Sequence, residues 1–251
     1  MADSVAKLKE LGPTIGHHEH VYPLSDGIGG VTGAPVTVST NQEDDTTAPG
    51  TDQWYYGAPV VLLPTSISGF GTPWRWFGLH IYGTTTAKEV QFQAFKILLN
   101  HVSTLDTAGA TPAEGTTSLT VADGTVFATG DLIWITSATY PSGEIQVISD
   151  VSTNVLTFGR EGDQNAMTGL RWPHNDLTTT KFYVVHRDAV VDLHTHQFEF
   201  SVSSAKDFET LHWAQAISMP ANSGVIIRAL NQSDGVTASV DMKLIWEGGV
   251  H

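Results

Sequence analysis

From Trp54 onward the chain repeats one pattern: a short apolar or alternating run, then a cluster of Gly, Pro, Thr, Asn or Asp. WYYGAPVVLL, WRWFGLHIYG and VQFQAFKILL follow it before residue 107. KFYVVHR, HQFEFSVS, LHWAQAIS, GVIIRALNQ and TASVDMKLIW follow it after residue 180. Alternation with a period of two places successive side chains on opposite faces of a strand, whereas a helix needs apolar residues every three or four positions. The runs are too short, and their β-branched and aromatic content too high, for a helical bundle. Only Ser4 to Leu11, stopped by Gly12-Pro13, and a turn around Ala205 to Leu211 offer helical candidates.

The pattern is interrupted once. After Ala108 the composition shifts to AGATPAEGTTS, and a compact block of short strands follows: Leu119 to Val121, Leu132 to Ile135, Glu144 to Ile148 and Val155 to Phe158. Asp123-Gly124, Gly130-Asp131, Ser142-Gly143 and Thr153-Asn154 supply its turns. The expected organisation is therefore an extended N-terminal arm at 1–53, rich in Gly, Thr, Pro, Asn and Asp, then a jelly-roll-like antiparallel β-sandwich built from 54–107 and 178–251. A small β-barrel-like domain is inserted at 108–177. The fold class is all-β.

Composition narrows the function. With 12 Lys and Arg against 26 Asp and Glu, the net charge is −14, which opposes binding to nucleic-acid phosphates. There is no cysteine, which removes disulfides, thiolate metal sites and Cys nucleophiles together. MADSVAKLKELGPTIG has no apolar h-region, and no run of about 18 apolar residues is present to cross a bilayer. Synthesis in a cytoplasm, with no membrane or nucleic-acid partner, is the expectation.

FATGDLIWI followed by GEIQVISDVSTNVLTFGREGDQNAMTG resembles a small β module found in virion proteins of tailed bacteriophages. The resemblance rests on Gly130-Asp131 before a strand, the acidic Glu144 leading the next strand, and Leu156-Thr157 with Arg160 near the end. Asp163-Gln164-Asn165-Ala166 departs from the module's Gly-Thr and small residues. The resemblance covers roughly the inserted block. It implies a virion component.

Candidate chemistry centres on VVDLHTHQFEF. Cupin enzymes hold a metal on a jelly roll through H-x-H and a Glu four or five residues later. His194, His196 and Glu199 resemble that set, but the final spacing is three. On a strand this places Glu199 on the face opposite the two histidines. The better reading is a sandwich strand with His194, His196, Phe198, Phe200 and Val202 on one face.

GHHEH at 16–20 reads as a polar arm segment, and Glu43, Asp44, Asp45 and Asp52 as a solvated loop without calcium-loop spacing. G-x-S-x-G, P-loop and GxGxxG fingerprints are absent. Trp54, Tyr55, Tyr56, Trp74, Trp76, Trp213 and Trp246 could form a sugar platform but fit a core and interface better, with Trp74 and Trp76 on one face and Arg75 on the other.

No catalytic, cofactor-binding or metal residue is assigned, and a non-enzymatic role is expected. The leading expectation is a capsid decoration, or cement, subunit acting as a homotrimer. Its partners would be the major capsid protein or other virion proteins, and its location the virion. The alternatives are a tail, baseplate or fibre component with a glycan-binding outer domain, and a cupin-like metal enzyme.

Overall fold

The computed structural model describes residues 18–19, 22–23, 36–39, 55–57, 59–63, 73–84, 90–106, 112–141, 143–159, 169–170, 172–174, 176–186, 197–202, 208–231 and 239–248. Among them the chain is all β, apart from one short 3₁₀ turn at Gly124–Val126. The strands before the insert are β1 (His18–Glu19), β2 (Tyr22–Pro23), β3 (Val36–Ser39), β4 (Tyr55–Tyr56), β5 (Val60–Leu63), β6 (Trp74–Thr84) and β7 (Val90–Thr104). Then come β8 (Ser118–Thr120), β9 (Leu132–Thr136), β10 (Glu144–Ser152), β11 (Val155–Gly159) and β12 (Lys181–His186). The chain finishes with β13 (Gln197–Val202), β14 (Phe208–Met219), β15 (Ser223–Asn231) and β16 (Ser239–Gly248).

Eight of these, β3, β5, β6, β7, β13, β14, β15 and β16, form a two-sheet sandwich with all pairs antiparallel. One sheet has the order β3-β16-β6-β14 and the other β5-β15-β7-β13. Counted along the chain, the first sheet holds strands one, eight, three and six, and the second holds two, seven, four and five. This is the wrapped order of a jelly roll. Within the segment expected to be an extended arm, β1 and β3 both pair with β16, while β2 pairs with β5 in the other sheet. The Ser4–Leu11 helix candidate and the Glu43–Asp52 acidic cluster lie outside the described residues.

Alternation builds the core between the sheets. Phe92 and Ala94 of β7, Val225 and Ile227 of β15 and Leu62 of β5 meet Trp74, Trp76, Leu79 and Ile81 of β6 and Val240, Met242, Leu244 and Trp246 of β16. The switch from even to odd positions in β6 has a local cause. The register with β16 shifts between Ile245↔Gly78 and Trp246↔Trp76, so an extra residue bulges out and both halves of β6 keep their large side chains inside. Arg75 is exposed. Residues 208–211, expected to include a helical turn, are strand instead, because Phe208 to Leu211 pair with Tyr82 to Leu79 and this pairing outweighs local propensity.

The inserted strands close on themselves. The sheet continues β7-β12-β9-β10-β11-β8, and a bridge between Leu105 and Val121 joins its two ends, reinforced by Asp106 N–H to Thr120 O at 3.0 Å and Ala122 N–H to Thr104 O at 2.8 Å. Ile133, Ile135, Ile148, Leu156, Phe158, Phe182 and Val184 fill this barrel. Its wall draws on β7 and β12, from either side of the 108–177 block.

β7 is the member common to both units. Its first half, Val90 to Phe95, pairs with β13, and its second half, Leu98 to Thr104, pairs with β12. Within the second half the register with β12 jumps from Tyr183↔Val102 to Val184↔Leu98, and Leu99 N–H turns to Asn222 O at 2.7 Å. The bulge re-aims the strand where sandwich gives way to barrel. Outward residues of the barrel, Trp134, Ile145, Tyr183 and Val185, form one buried cluster with Val61, Leu63, Phe95, Ile97 and Ile226 of the sandwich sheet. Trp134 and Tyr183 stack at 5.4 Å. The Tyr183 hydroxyl is buried without a hydrogen-bond partner among the described residues, and burial raises its pKa to about 12. Each large side chain buried in this seam contributes roughly 1.5–3 kcal/mol, which fixes the barrel against the sandwich.

Two polar features of this framework yield tests. Lys96 of β7 is buried, and its ammonium donates to Ser218 O at 2.8 Å. Burial lowers its pKa to about 8 from the ordinary 10.5. The unfolded chain therefore holds a proton that the folded chain lacks between pH 8 and 10.5, so stability should rise with pH from 8 to about 10, above which the raised pKa of Tyr183 opposes the rise. In Lys96→Met the rise should vanish when urea midpoints are measured across the same window. Gly143 has φ 62°, and a β-carbon there would collide with the Ile135 carbonyl. Gly143→Ala should cost about 3 kcal/mol in urea unfolding.

Candidate functional site

At one end of the barrel, residues from β9, β10 and the 169–180 segment converge on a buried polar cluster. Strand β10 begins at Glu144, directly after the tight turn at Gly143, and alternation sends Glu144 and Gln146 to the same side. His174 is wholly buried, with Nε2 3.0 Å from Glu144 Oε1 and Nδ1 3.2 Å from Ser137 Oγ. Glu144 Oε1 also accepts the Trp172 N–H at 3.1 Å. Its Oε2 accepts from Gln146 Nε2 at 2.6 Å, and the same amide donates to Gly169 O at 2.9 Å.

Aromatic rings and short polar turns surround this centre. Tyr140 stacks on Trp172 at 5.5 Å and 10°, and meets the His174 ring edge-on at 5.7 Å. The Thr180 hydroxyl donates to His174 O at 3.3 Å. Below it, Asp176 Oδ1 accepts from Thr178 N–H, Thr178 Oγ1 and Thr179 N–H. Hydrogen bonds from the Thr179 and Thr178 side chains hold the Asp176 carboxyl down at about 2.

Serine, imidazole and carboxylate in sequence form a chain along which a proton can be passed, the arrangement that activates a serine nucleophile. Here the serine end is closed. Ser137 is 4% exposed, and its Oγ accepts the Tyr140 N–H at 3.2 Å. The same turn is held by Ser137 N–H to Tyr140 O at 3.2 Å and by Thr136 Oγ1 to Pro141 O at 2.8 Å. A nucleophile must face its substrate, and this hydroxyl faces a turn of its own chain. The cluster acts as a clamp that ties the 169–174 segment to β9 and β10.

The residues singled out in the sequence fall differently. His194 and His196 lie outside the described residues, as does Arg160. Glu199 sits in β13 opposite Gln93. His18 and Glu19 form β1 against Trp246 and Ile245. Among the described residues no group of three His, Asp or Glu stands together to hold a metal ion, and no helix is long and apolar enough to cross a membrane. Trp74, Trp76 and Trp246 are buried in the sandwich core, which closes their faces to a sugar, and the partly buried Trp213 packs against them, edge-on to Trp76 at 5.0 Å; Trp54 lies outside the described residues.

The motif residues of the insert prove to be builders of turns and clamps. Gly130 has φ 93°, and Asp131 Oδ2 accepts the Ala128 N–H at 2.8 Å. Ser137, Gln146, Trp172 and His174 carried no sequence signal, because they lie up to 37 positions apart and follow no strand period. Only Glu144 stood out.

No family model matches the chain, and no curated protein matches it. Among solved structures, VP17, a capsid protein of bacteriophage P23-77, aligns over 86% of this chain and 96% of its own, with 11% identity and a TM-score of 0.19. That likeness is too slight to bear on fold or role.

Glu144→Ala would strand three donors in a buried setting. We expect a loss of about 3 kcal/mol in thermal unfolding, together with collapse of the near-ultraviolet circular dichroism from the Tyr140–Trp172 stack.

Proposed function

We propose that this protein is a structural subunit of a bacteriophage virion, a capsid decoration or cement protein that acts by binding rather than by catalysis. The observation that carries the reading is the way the inserted barrel is mounted. A jelly roll hosts capsid proteins, lectins and cupin enzymes alike, so the sandwich by itself does not choose among them. The barrel, whose Gly130-Asp131 and Glu144 resemble a phage virion module, shares β7 and a buried apolar seam with the sandwich. A rigid outboard unit of this kind suits a protein whose task is to present shape.

The other features agree with that role. The acidic balance of −14 disfavours contact with packaged nucleic acid and leaves protein surfaces as partners. The serine of the one catalytic-looking constellation among the described residues is closed by its own turn. In this reading the subunit assembles as a homotrimer on the major capsid protein lattice, burying enough surface to strengthen the shell. It is made in the host cytoplasm and ends in the virion.

Cryo-electron microscopy of purified particles, with the jelly roll and barrel fitted to the density, decides the matter. We expect the subunit on the shell at symmetry-related positions with the barrel outermost. Density confined to the tail would place the protein among baseplate or fibre components instead.

A further inference from the structure

Strand β14 ends one sheet of the sandwich, pairing only with β6 among the described residues. It is twelve residues long, and a strand edge of that length is a row of N–H and C=O groups on which another chain can add a strand. Edges are ordinarily blunted by lysine, by proline or by being short. β13, which ends the other sheet of the sandwich, is six residues long. β14 has none of these safeguards: from Thr210 to Met219 it carries neither a charged residue nor a proline, and His212, Ala214, Gln215 and Ser218 are exposed.

What it has instead is a break in shape. Between His212↔Gly78 and Ile217↔Trp76 the edge strand advances five residues while β6 advances two, so three extra residues leave the ladder. Named contacts hold the break in place. Gly78 makes room for it, since a β-carbon there would collide with the Leu211 carbonyl. Trp213 anchors it, packing on the sandwich core with its ring edge-on to Trp76 at 5.0 Å. Where pairing resumes, Lys96 of the facing sheet donates to Ser218 O at 2.8 Å, which ties that end of β14 inward.

We propose that the Trp213–Ala216 excursion is an edge guard, which keeps two copies of this chain from joining through β14. It divides the edge into Phe208–His212 and Ile217–Met219, leaving pieces of five and three residues where a continuous template would stand. A net charge of −14 sets copies of the chain against each other at long range, but β14 adds no charge of its own from Thr210 onward, so shape does the blocking at contact.

Deleting Ala214, Gln215 and Ala216 leaves Trp213 opposite Phe77 and restores an unbroken edge. Sedimentation equilibrium of the whole chain over a concentration series tests the guard. The deletion variant, folded by circular dichroism, should reach about twice the native mass as concentration rises. His212→Lys with Ser218→Lys in the same background, which places charge on the exposed edge, should return it to the native mass. A folded deletion variant that keeps the native mass, or association that the two lysines do not reverse, would overturn the proposal. If the deletion variant does not fold, Trp213→Ala, which cuts the anchor and keeps the chain length, takes its place: self-association reversed by the same two lysines supports the guard, and native mass at every concentration overturns it.

Discussion

Everything in this fold depends on the backbone hydrogen bonding of β7. The strand is fifteen residues long, and both of its edges are occupied: β15 lies along Phe92 to Leu98 on one side, β13 and then β12 along the other. A strand paired on both edges and, from Ala94 to Leu98, buried on both faces has little freedom to bend except where a bulge permits it. The bulge next to Leu98 is that place. Because sandwich and barrel are successive stretches of one strand, their relation is set by main-chain geometry and sealed by Phe95, Ile97, Trp134 and Tyr183.

The polar groups inside this framework follow the same economy. Lys96, Glu144 and His174 are buried, and each meets groups suited to its charge or its lone pairs: a carbonyl for the ammonium, three donors for the carboxylate, a hydroxyl and a carboxylate for the imidazole. Burial without such partners would cost several kcal/mol per group. Glu144 stands at the start of β10, immediately after Gly143, whose left-handed turn conformation favours glycine. Its position is therefore a consequence of the turn, and the clamp a consequence of its position.

Much of this was legible in the residues. Period-two alternation marked β6, β7, β12, β15 and β16, and the Gly-Asp and Thr-Asn pairs marked turns whose backbone is now seen, with Gly130 and Thr153 at positive φ. Trp74 and Trp76 were placed on one face and Arg75 on the other, and the structure buries the two rings and exposes Arg75. What could not be read was anything depending on chain-distant contact. The strand order, the pairing of β1 and β3 with β16, and the meeting of Ser137, Glu144 and His174 are set by tertiary geometry, which leaves no local period. Phe208 to Leu211 shows the converse: a segment with some helical character becomes strand because β6 offers it a hydrogen-bonding edge. His194 and His196, which drew attention first, lie outside the described residues.

The pairing of Lys181 with Thr104 also bears on how such a chain can reach its folded state. With the inserted segment unfolded, bringing β13 to β7 would require closing one long loop, with an entropy cost that grows with its length. Barrel closure returns the chain to the side of β7 that it left, and β12 runs back along that strand toward Val90. β13 then has only a short connection to cross before it continues the same line. β7 and β13 are strands four and five of the jelly roll, consecutive but for the insertion, so barrel closure restores as a local contact a pairing that the inserted sequence would otherwise make distant.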